Sequence, residues 1–251
     1  MPLDIARIRQ RLPDRPVHYF ESAESTMTEA ARLLSGRCPP GTLVVAERQT
    51  EGRGRLGRVW HSEPDGGLYL SIVLRPALPW SATPPLTLAL GLATAEAIQR
   101  TTGLATDLRW PNDVMLGERK SAGILVEFEG SFAVAGIGVN VNQASFPAEI
   151  AAAATSLRLV SGVPQSREDL LLCLVDLVDE YCALLREDGA AKVMALFSAA
   201  SSYACGRRVR VEVGGELIVG TTAGLDECGF LRVRRDDGEE SLILAGGVRP
   251  A

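Results

Sequence analysis

The segment Glu47 to Trp60 reads ERQTEGRGRLGRVW. Gly52, Gly54 and Gly57 alternate with Arg53, Arg55 and Arg58, and Trp60 follows. Glycines leave the backbone free and give it no side chain to pack, so the spacing predicts a mobile loop. Arginines in such a loop suit forked, charge-assisted hydrogen bonds to phosphate or carboxylate. A flexible cationic loop that orders around an anion is an established kind of switch element. Gly52-Arg53-Gly54-Arg55-Leu56-Gly57 also matches the G-x-G-x-x-G pattern of dinucleotide-binding folds. That pattern counts only between a strand and a helix, with an acidic residue about 20 positions on. A strand precedes it, residues 42–46 (TLVVA), but Glu63-Pro64-Asp65-Gly66-Gly67 and a second strand, 68–74 (LYLSIVL), come after it. Strand, loop and strand argue against the dinucleotide fold.

The rest of the composition narrows the ligand. The chain has 251 residues, with 26 Lys+Arg against 31 Asp+Glu and a formal net charge of -5. A nucleic-acid binder shows a wider basic footprint; here positive charge is local, which suits a small anion. Hydrophobic residues at 46% fit a soluble globular protein with a substantial core. The charged start lacks the apolar run of a signal peptide, and no stretch approaches a membrane span. The five cysteines (Cys38, Cys173, Cys182, Cys205, Cys228) form no C-x-x-C pair. They read as reduced, mostly buried thiols of a cytoplasmic protein. His18 and His61 are the two histidines, too few for a histidine-rich zinc site, and nothing places a nucleophile near either.

Taken in order, residues 3–12 predict a helix, 17–20 a strand, and 26–34 a helix ended by Gly36. Thr26 to Glu29 reads as a capping box, and a helix N-terminus also offers free N–H groups to an anion. After the strand 68–74, Pro76, Pro79, Pro84 and Pro85 mark a surface connection to a helix at 86–102. Strands then follow at 107–110, 114–116, 120–129 and 132–140 with tight turns between them, which implies an antiparallel or mixed sheet. With helices on one side of that sheet the class is α+β. Ser166 caps a long helix, 167–187, and 190–201 is another. From Cys205 short strands (207–213, 216–223, 229–235, 239–244) read as a small β-barrel or sandwich. The expected domains are 1–203 and 204–251.

Alone, Trp110-Pro111-Asn112-Asp113 is a plain turn and Lys120 a solvated strand end. Together with the arginine loop they supply mobile cations, oxygen ligands of the kind Mg²⁺ accepts and a fixed cation. Gly136-Ile137-Gly138-Val139-Asn140 adds small residues for close approach and an amide. The set suits nucleotidyl transfer, where positioning and charge neutralisation around phosphate dominate.

In this order and spacing, Glu24-Ser25-Thr26, Gln49 with Gly52 to Arg58, Arg109 to Asp113, Lys120-Ser121-Ala122-Gly123-Ile124-Leu125 and Gly136 to Asn142 resemble the motif series of the biotin protein ligases, over roughly residues 17 to 200. Residues 205–251 are similar to that family's SH3-like C-terminal domain. The resemblance implies a mixed α+β catalytic domain like that of class II aminoacyl-tRNA synthetases. It also implies a two-step, ATP- and Mg²⁺-dependent reaction: biotin becomes biotinyl-5′-AMP, and a lysine of a biotin carboxyl carrier domain then takes the biotin. By motif position, Ser25, Thr26, Gln49, Gly52, Arg53, Gly54, Arg55, Lys120 and Gly123 would hold biotin. Arg55, Arg58, Trp60, Asn112, Asp113, Lys120 and Asn140 would meet the nucleotide. Lys120, Arg55 and Asp113 would be catalytic, and Asp113 would be the candidate Mg²⁺ ligand. Trp60 would shield the anhydride from water.

Two residues depart from the motif: Met27 stands where Asn is frequent, and Arg109 where Lys is usual. A lipoate-type ligase shares the implied fold. A non-enzymatic anion- or RNA-binding protein is the rival of another class, and it leaves Lys120 and Asn112-Asp113 without a role. A homodimer through sheet edges is compatible with the family, and no membrane partner is expected. The residues before Val17 are too few for a helix-turn-helix, so the sequence predicts a ligase without operator binding; a sequence-specific gel shift at physiological salt would contradict this.

Overall fold

The computed structural model describes residues 2–76 and 83–251. The first sheet contains β1 (Val17–Phe20), β2 (Leu43–Ala46), β3 (Gly67–Leu74), β4 (Asp107–Arg109), β5 (Asp113–Leu116), β6 (Arg119–Glu129) and β7 (Phe132–Asn140). Its order is β1-β2-β3-β7-β6-β5-β4. β1 and β2 run parallel, joined by helix α2 (Thr26–Ser35) after the N-terminal α1 (Ile5–Arg11). The other neighbours run antiparallel; tight turns join β4 to β5, β5 to β6 and β6 to β7 and require it there. The sheet is mixed.

Strand alternation assigns the two faces. Leu43, Val45, Ile72, Leu74, Ala133 and Ala135 pack with helices α3 (Thr83–Thr102), α6 (Arg167–Glu187) and α7 (Ala190–Ala200). Val44, Val73 and Val134, one residue out of phase, pack with Met27, Ala30 and Leu34 of α2. The expectation of helices on one side is therefore corrected: α2 covers part of the opposite face. Its cap also differs. The Ser25 hydroxyl, not Thr26, accepts from Met27 N, which leaves Thr26 inside the helix and free to turn toward the sheet. Pro84 and Pro85 lie in the first turn of α3, where a missing N–H costs nothing. Pro79 lies outside the described residues. Two short helices, α4 (Ala148–Ala151) and α5 (Leu157–Ser161), follow β7 and were not read from the sequence.

The second sheet has the order β11-β10-β9-β8-β12, from β8 (Cys205–Val213), β9 (Glu216–Leu225), β10 (Leu231–Arg235), β11 (Glu240–Ile243) and β12 (Val248–Pro250), all antiparallel. β12 was not anticipated. Buried Trp110 ties the sheets together, its Nε1 donating to Gly229 O at 2.9 Å. The thiols are less buried than expected: Cys38, Cys173 and Cys182 are half-buried, Cys205 and Cys228 exposed, and all are free. The apolar helix face carrying Cys173 and Cys182 leaves them at its margin. Among the described residues no helix is long and apolar enough to cross a membrane.

One buried ion pair fixes the segment between β2 and β3. Arg167, 3% exposed, donates from Nη1 to Glu47 Oε2 at 2.9 Å and to Gly67 O at 3.1 Å. Glu47 Oε1 also accepts from Leu3 N at 2.6 Å. A single guanidinium thus holds both stems of residues 48–66. Removing one partner of a buried pair strands the other charge, so Arg167→Met should cost about 3–5 kcal/mol. The double variant Glu47→Gln/Arg167→Met should recover most of that loss. Urea denaturation reads both, and a single-variant loss below about 1 kcal/mol, the size of an exposed pair, would contradict the assignment.

Candidate active site

The site lies on the face of the sheet that α2 only partly covers. Register puts Tyr69, Gly138 and Gly123 in one row across β3, β7 and β6, and Ser71, Gly136 and Leu125 in the next. Three glycines on one face leave a trough that other elements fill. A Cβ at Gly136 would sit 2.6 Å from Met27 Sδ, one at Gly138 2.5 Å from Trp60 Cε2, and one at Gly123 3.0 Å from Trp60 Cζ3. Met27, the departure from the motif noted above, therefore packs as a buried apolar residue. Trp60 lies flat over the strand glycines, and its buried Nε1 has no hydrogen-bond partner among the described residues.

The end of the trough nearest α2 is neutral and polar. Gln49 Oε1 accepts from Thr26 N at 2.8 Å and Thr26 Oγ1 at 3.2 Å. Ser71 Oγ donates to Thr26 Oγ1 at 2.8 Å, and Gln49 Nε2 to Ser62 Oγ at 2.9 Å. Ser25, Thr26, Gln49, Arg53, Gly54 and Arg55 all line this cavity. Gly52 does not; its role is in the stem. Trp60 N donates to Gly52 O at 2.8 Å, and a Cβ at Gly52 would meet Trp60 O at 2.3 Å.

The far end is charged. Lys120 reaches it through a β-bulge. β5 advances one residue from Val114 to Met115 while β6 moves two, from Ala122 to Lys120. Without the extra residue, Ser121, Lys120 would face the core; bulges re-aim side chains in this way. Its Nζ contacts Asp113 Oδ1 in an ion pair and stands 5.2 Å from the centre of the Trp60 ring. Arg109 adds bonds to Asp113 Oδ2, 2.8 Å from Nη2 and 3.3 Å from Nε. Burial pushes the Asp113 carboxyl up, but Lys120 and Arg109 outweigh it and hold the group below the usual carboxylate range. Asp113 is thus a fixed anion that orients two cations.

The arginine segment folds back on itself. Arg53 and Val59 form an isolated antiparallel bridge, Gly54 N donates to Arg58 O at 2.7 Å, and Arg55–Gly57 make one 3₁₀ turn. The tip residue Leu56 is 65% exposed with φ of 58°, a left-handed conformation rare for a branched residue. Arg53 Nη2 pairs with Glu127 at 2.6 Å. Arg55 Nη1 donates to Asn112 Oδ1 at 3.2 Å, and burial lowers its pKa, partly offset by Asp113. Asn112 is anchored in turn, its Nδ2 donating to Ile124 O at 2.8 Å.

Two expected residues stand apart. Arg58 is exposed at the rim, toward the second sheet. Asn140 shares the face of Gly138 but does not line the cavity; its Nδ2 donates to Thr155 O at 3.1 Å and its Oδ1 accepts from Gln143 Nε2 at 3.3 Å. Asp113 does not fit a resident Mg²⁺. Both its oxygens are engaged by cations, and among the described residues no three His, Cys, Asp or Glu side chains cluster for a metal. Tyr69, Ser62, Ser71 and Glu127 were missed by sequence reading. Ser71 and Tyr69 alternate on one strand face, a signal that says where a side chain points but not what lies opposite.

A neutral hydrogen-bonding end, an apolar floor and a cluster of cations suit one molecule with a polar head, an aliphatic body and a carboxylate, set against a phosphate. That defines a carboxylate-activating ligase site. Residues 19–143 match the biotin/lipoate A/B protein ligase family and residues 204–248 the biotin protein ligase C terminal domain. The biotin--[acetyl-CoA-carboxylase] ligase of Mycobacterium tuberculosis is 34% identical over 98% of this chain and 94% of its own. The bifunctional ligase/repressor of Bacillus spizizenii is 35% identical over 90% of this chain and 72% of its own. Among solved structures, the biotin protein ligase from Aquifex aeolicus in complex with biotin and ATP superimposes with a TM-score of 0.83 at 34% identity, covering 94% of this chain and 99% of that one. The chain belongs to the biotin protein ligase family.

Proposed function

We propose that this site activates biotin with ATP and passes it to a lysine of a biotin carboxyl carrier domain of a carboxylase. The observation that carries the reading is the convergence of Lys120, Arg55 and Arg109 on Asn112 and Asp113 at the end of an apolar trough. Biotin enters with its ring amide toward Ser25, Thr26 and Gln49, and its carboxylate reaches Lys120. A carboxylate oxygen attacks the α-phosphorus of ATP and pyrophosphate leaves. Lys120 and Arg55 neutralise the charge that gathers there, the largest kind of contribution in a site with water excluded. The carrier lysine, as the free amine, then attacks the carbonyl carbon and AMP departs. Trp60, flat over Gly138, keeps water from the anhydride in the interval.

Asp113, held ionised, acts as the positioning group for Lys120 and Arg109. Mg²⁺ arrives with ATP as part of the substrate, and Arg58 and Asn140 complete the nucleotide side as the loop closes. On this reading residues 1–203 form the catalytic domain and 204–251 the SH3-like domain that abuts the loop. The setting is cytoplasmic, and a homodimer would use an outer sheet edge, β1 or β4.

The test is biotin-dependent exchange of labelled pyrophosphate into ATP, run also with lipoate and with neither acid. Biotin should support exchange, and Lys120→Ala should lower it by at least about tenfold, the loss expected from one charge-assisted hydrogen bond of about 1.5–3 kcal/mol. Near-normal turnover in Lys120→Ala would remove the lysine from its role. Exchange with lipoate alone would change the substrate, and exchange with neither would favour a binding protein.

A further inference from the structure

Arg109 and Tyr203 stand behind Asp113, and neither lines the trough or the cleft. The turn that carries Tyr203, between α7 and β8, is stitched to β4 just ahead of Arg109. Ser201 Oγ donates to Leu108 O at 2.5 Å, Ser202 N to Asp107 Oδ1 at 2.8 Å and Ser202 Oγ to Asp107 Oδ2 at 2.5 Å. Tyr203 N donates in turn to Ser201 Oγ at 3.2 Å. These bonds hold the ring buried, 1% exposed, with Arg109 Cζ 6.0 Å and Arg207 Cζ 5.1 Å from its centre. A guanidinium over a ring face is attracted by the ring quadrupole, more strongly where water is excluded. The phenol is fixed as well. Its hydroxyl donates to Glu118 Oε2 at 3.0 Å, and Arg207 Nη2 pairs with Glu118 Oε1 at 2.7 Å. Burial and the Glu118 carboxylate raise the hydroxyl above the usual tyrosine range, which keeps it a neutral donor.

Arg109 donates to Asp113 from one edge, Nε and Nη2, and to one oxygen, Oδ2. Oδ1 is left to Lys120. Which oxygen serves which cation is therefore set by the plane of the guanidinium. That plane turns about the side-chain torsions unless a flat surface faces it, and Tyr203 is such a surface. An ammonium has no flat face to stack and no edge to fork. The arginine that departs from the motif at position 109 is thus matched to an aromatic neighbour.

We propose that Tyr203 is a positioning residue for adenylation: its ring holds the Nε–Nη2 edge of Arg109 on Asp113 Oδ2, so that Oδ1 stays aimed at Lys120. The inference rests on the adenylation reading above. The ring acts through Arg109 and Asp113 on Lys120, which meets the biotin carboxylate. It leaves the neutral end of the trough, at Ser25, Thr26 and Gln49, untouched. The effect of the ring therefore falls on turnover and not on the capture of biotin.

The test is biotin-dependent pyrophosphate exchange in Tyr203→Phe and in chains with mono-, di- and trifluorinated phenylalanine at that position. Fluorine drains the negative ring face and changes the ring's shape little. Tyr203→Phe keeps the ring, so its maximal rate should stay within about threefold of wild type, the equivalent of a weak hydrogen bond's net contribution. The rate should then fall stepwise with each fluorine, to about one-fifth with three, the equivalent of one cation–π contact. Half-saturating biotin should hold steady throughout. In an Arg109→Met background the same series should be flat, because the ring has no guanidinium left to orient. A flat series with Arg109 present would overturn the proposal. So would an equal decline in the Arg109→Met background, which would make the ring a packing element or a partner of Arg207 alone. A large loss already at Tyr203→Phe, with no further change on fluorination, would also overturn it and move the role to the hydroxyl and Glu118. Absence of biotin-dependent exchange in the wild-type chain would instead overturn the adenylation reading beneath it.

Discussion

The buried contact of Arg167 with Glu47 and Gly67 O is the constraint on which the site depends. Apart from the start of α2, what covers the trough, from Gln49 through the arginines to Trp60, belongs to one excursion between β2 and β3. An excursion of that length has many conformations, and closing its ends costs entropy that grows only slowly with length. Fixing both stems at one guanidinium limits where the rest can go. Arg167 is also the first residue of α6, a poor place for a cation, since the helix dipole there favours negative charge. Glu168 and Asp169 follow it in the same turn and offset that cost.

Above this base the chemistry separates by distance along the trough. Neutral donors and acceptors gather near α2, where a polar head can be held without charge. Cations gather at β5 and β6, where Asp113 keeps them in place. The bulge at Ser121 and the three strand glycines are departures from a well-packed sheet. Each forgoes side-chain contacts that a core strand would make. They are the cost of a surface on which Trp60 and Lys120 can lie close to a ligand. The left-handed Leu56 at the loop tip is a further local expense, of the kind that collects at functional sites.

Much of this was legible in the sequence, for identifiable reasons. α6 begins and ends where the Ser166 cap and the apolar spacing put it, because local rules and tertiary packing agree there. β7 likewise runs from Phe132 to Asn140 as read. The grouping of Ser25, Thr26, Gln49, Arg55, Asn112 and Lys120 in one cavity was available only from motif order, since no local rule brings residues so far apart together. What local rules could not give was facing. Lys120 lies on the site face only because of a bulge, which depends on pairing with β5. Asn140 shares that face yet is spent on Thr155 and Gln143, segments whose course no pattern announced. The cap of α2 went to Ser25 because Thr26 is drawn to Gln49 and Ser71. Arg167 gave a further overlooked signal, a cation at a helix start.

The claim that joins fold and chemistry is that the clamped segment keeps an activated acid dry until an amine arrives. The direct measurement is to incubate the chain with biotin and MgATP without a carrier protein, quench, and quantify biotinyl-5′-AMP by mass spectrometry against time. The account predicts about one adenylate per chain, retained and slowly hydrolysed while wild-type Trp60 and Arg55 are present. Free adenylate that accumulates in solution, or none formed at all, would contradict it.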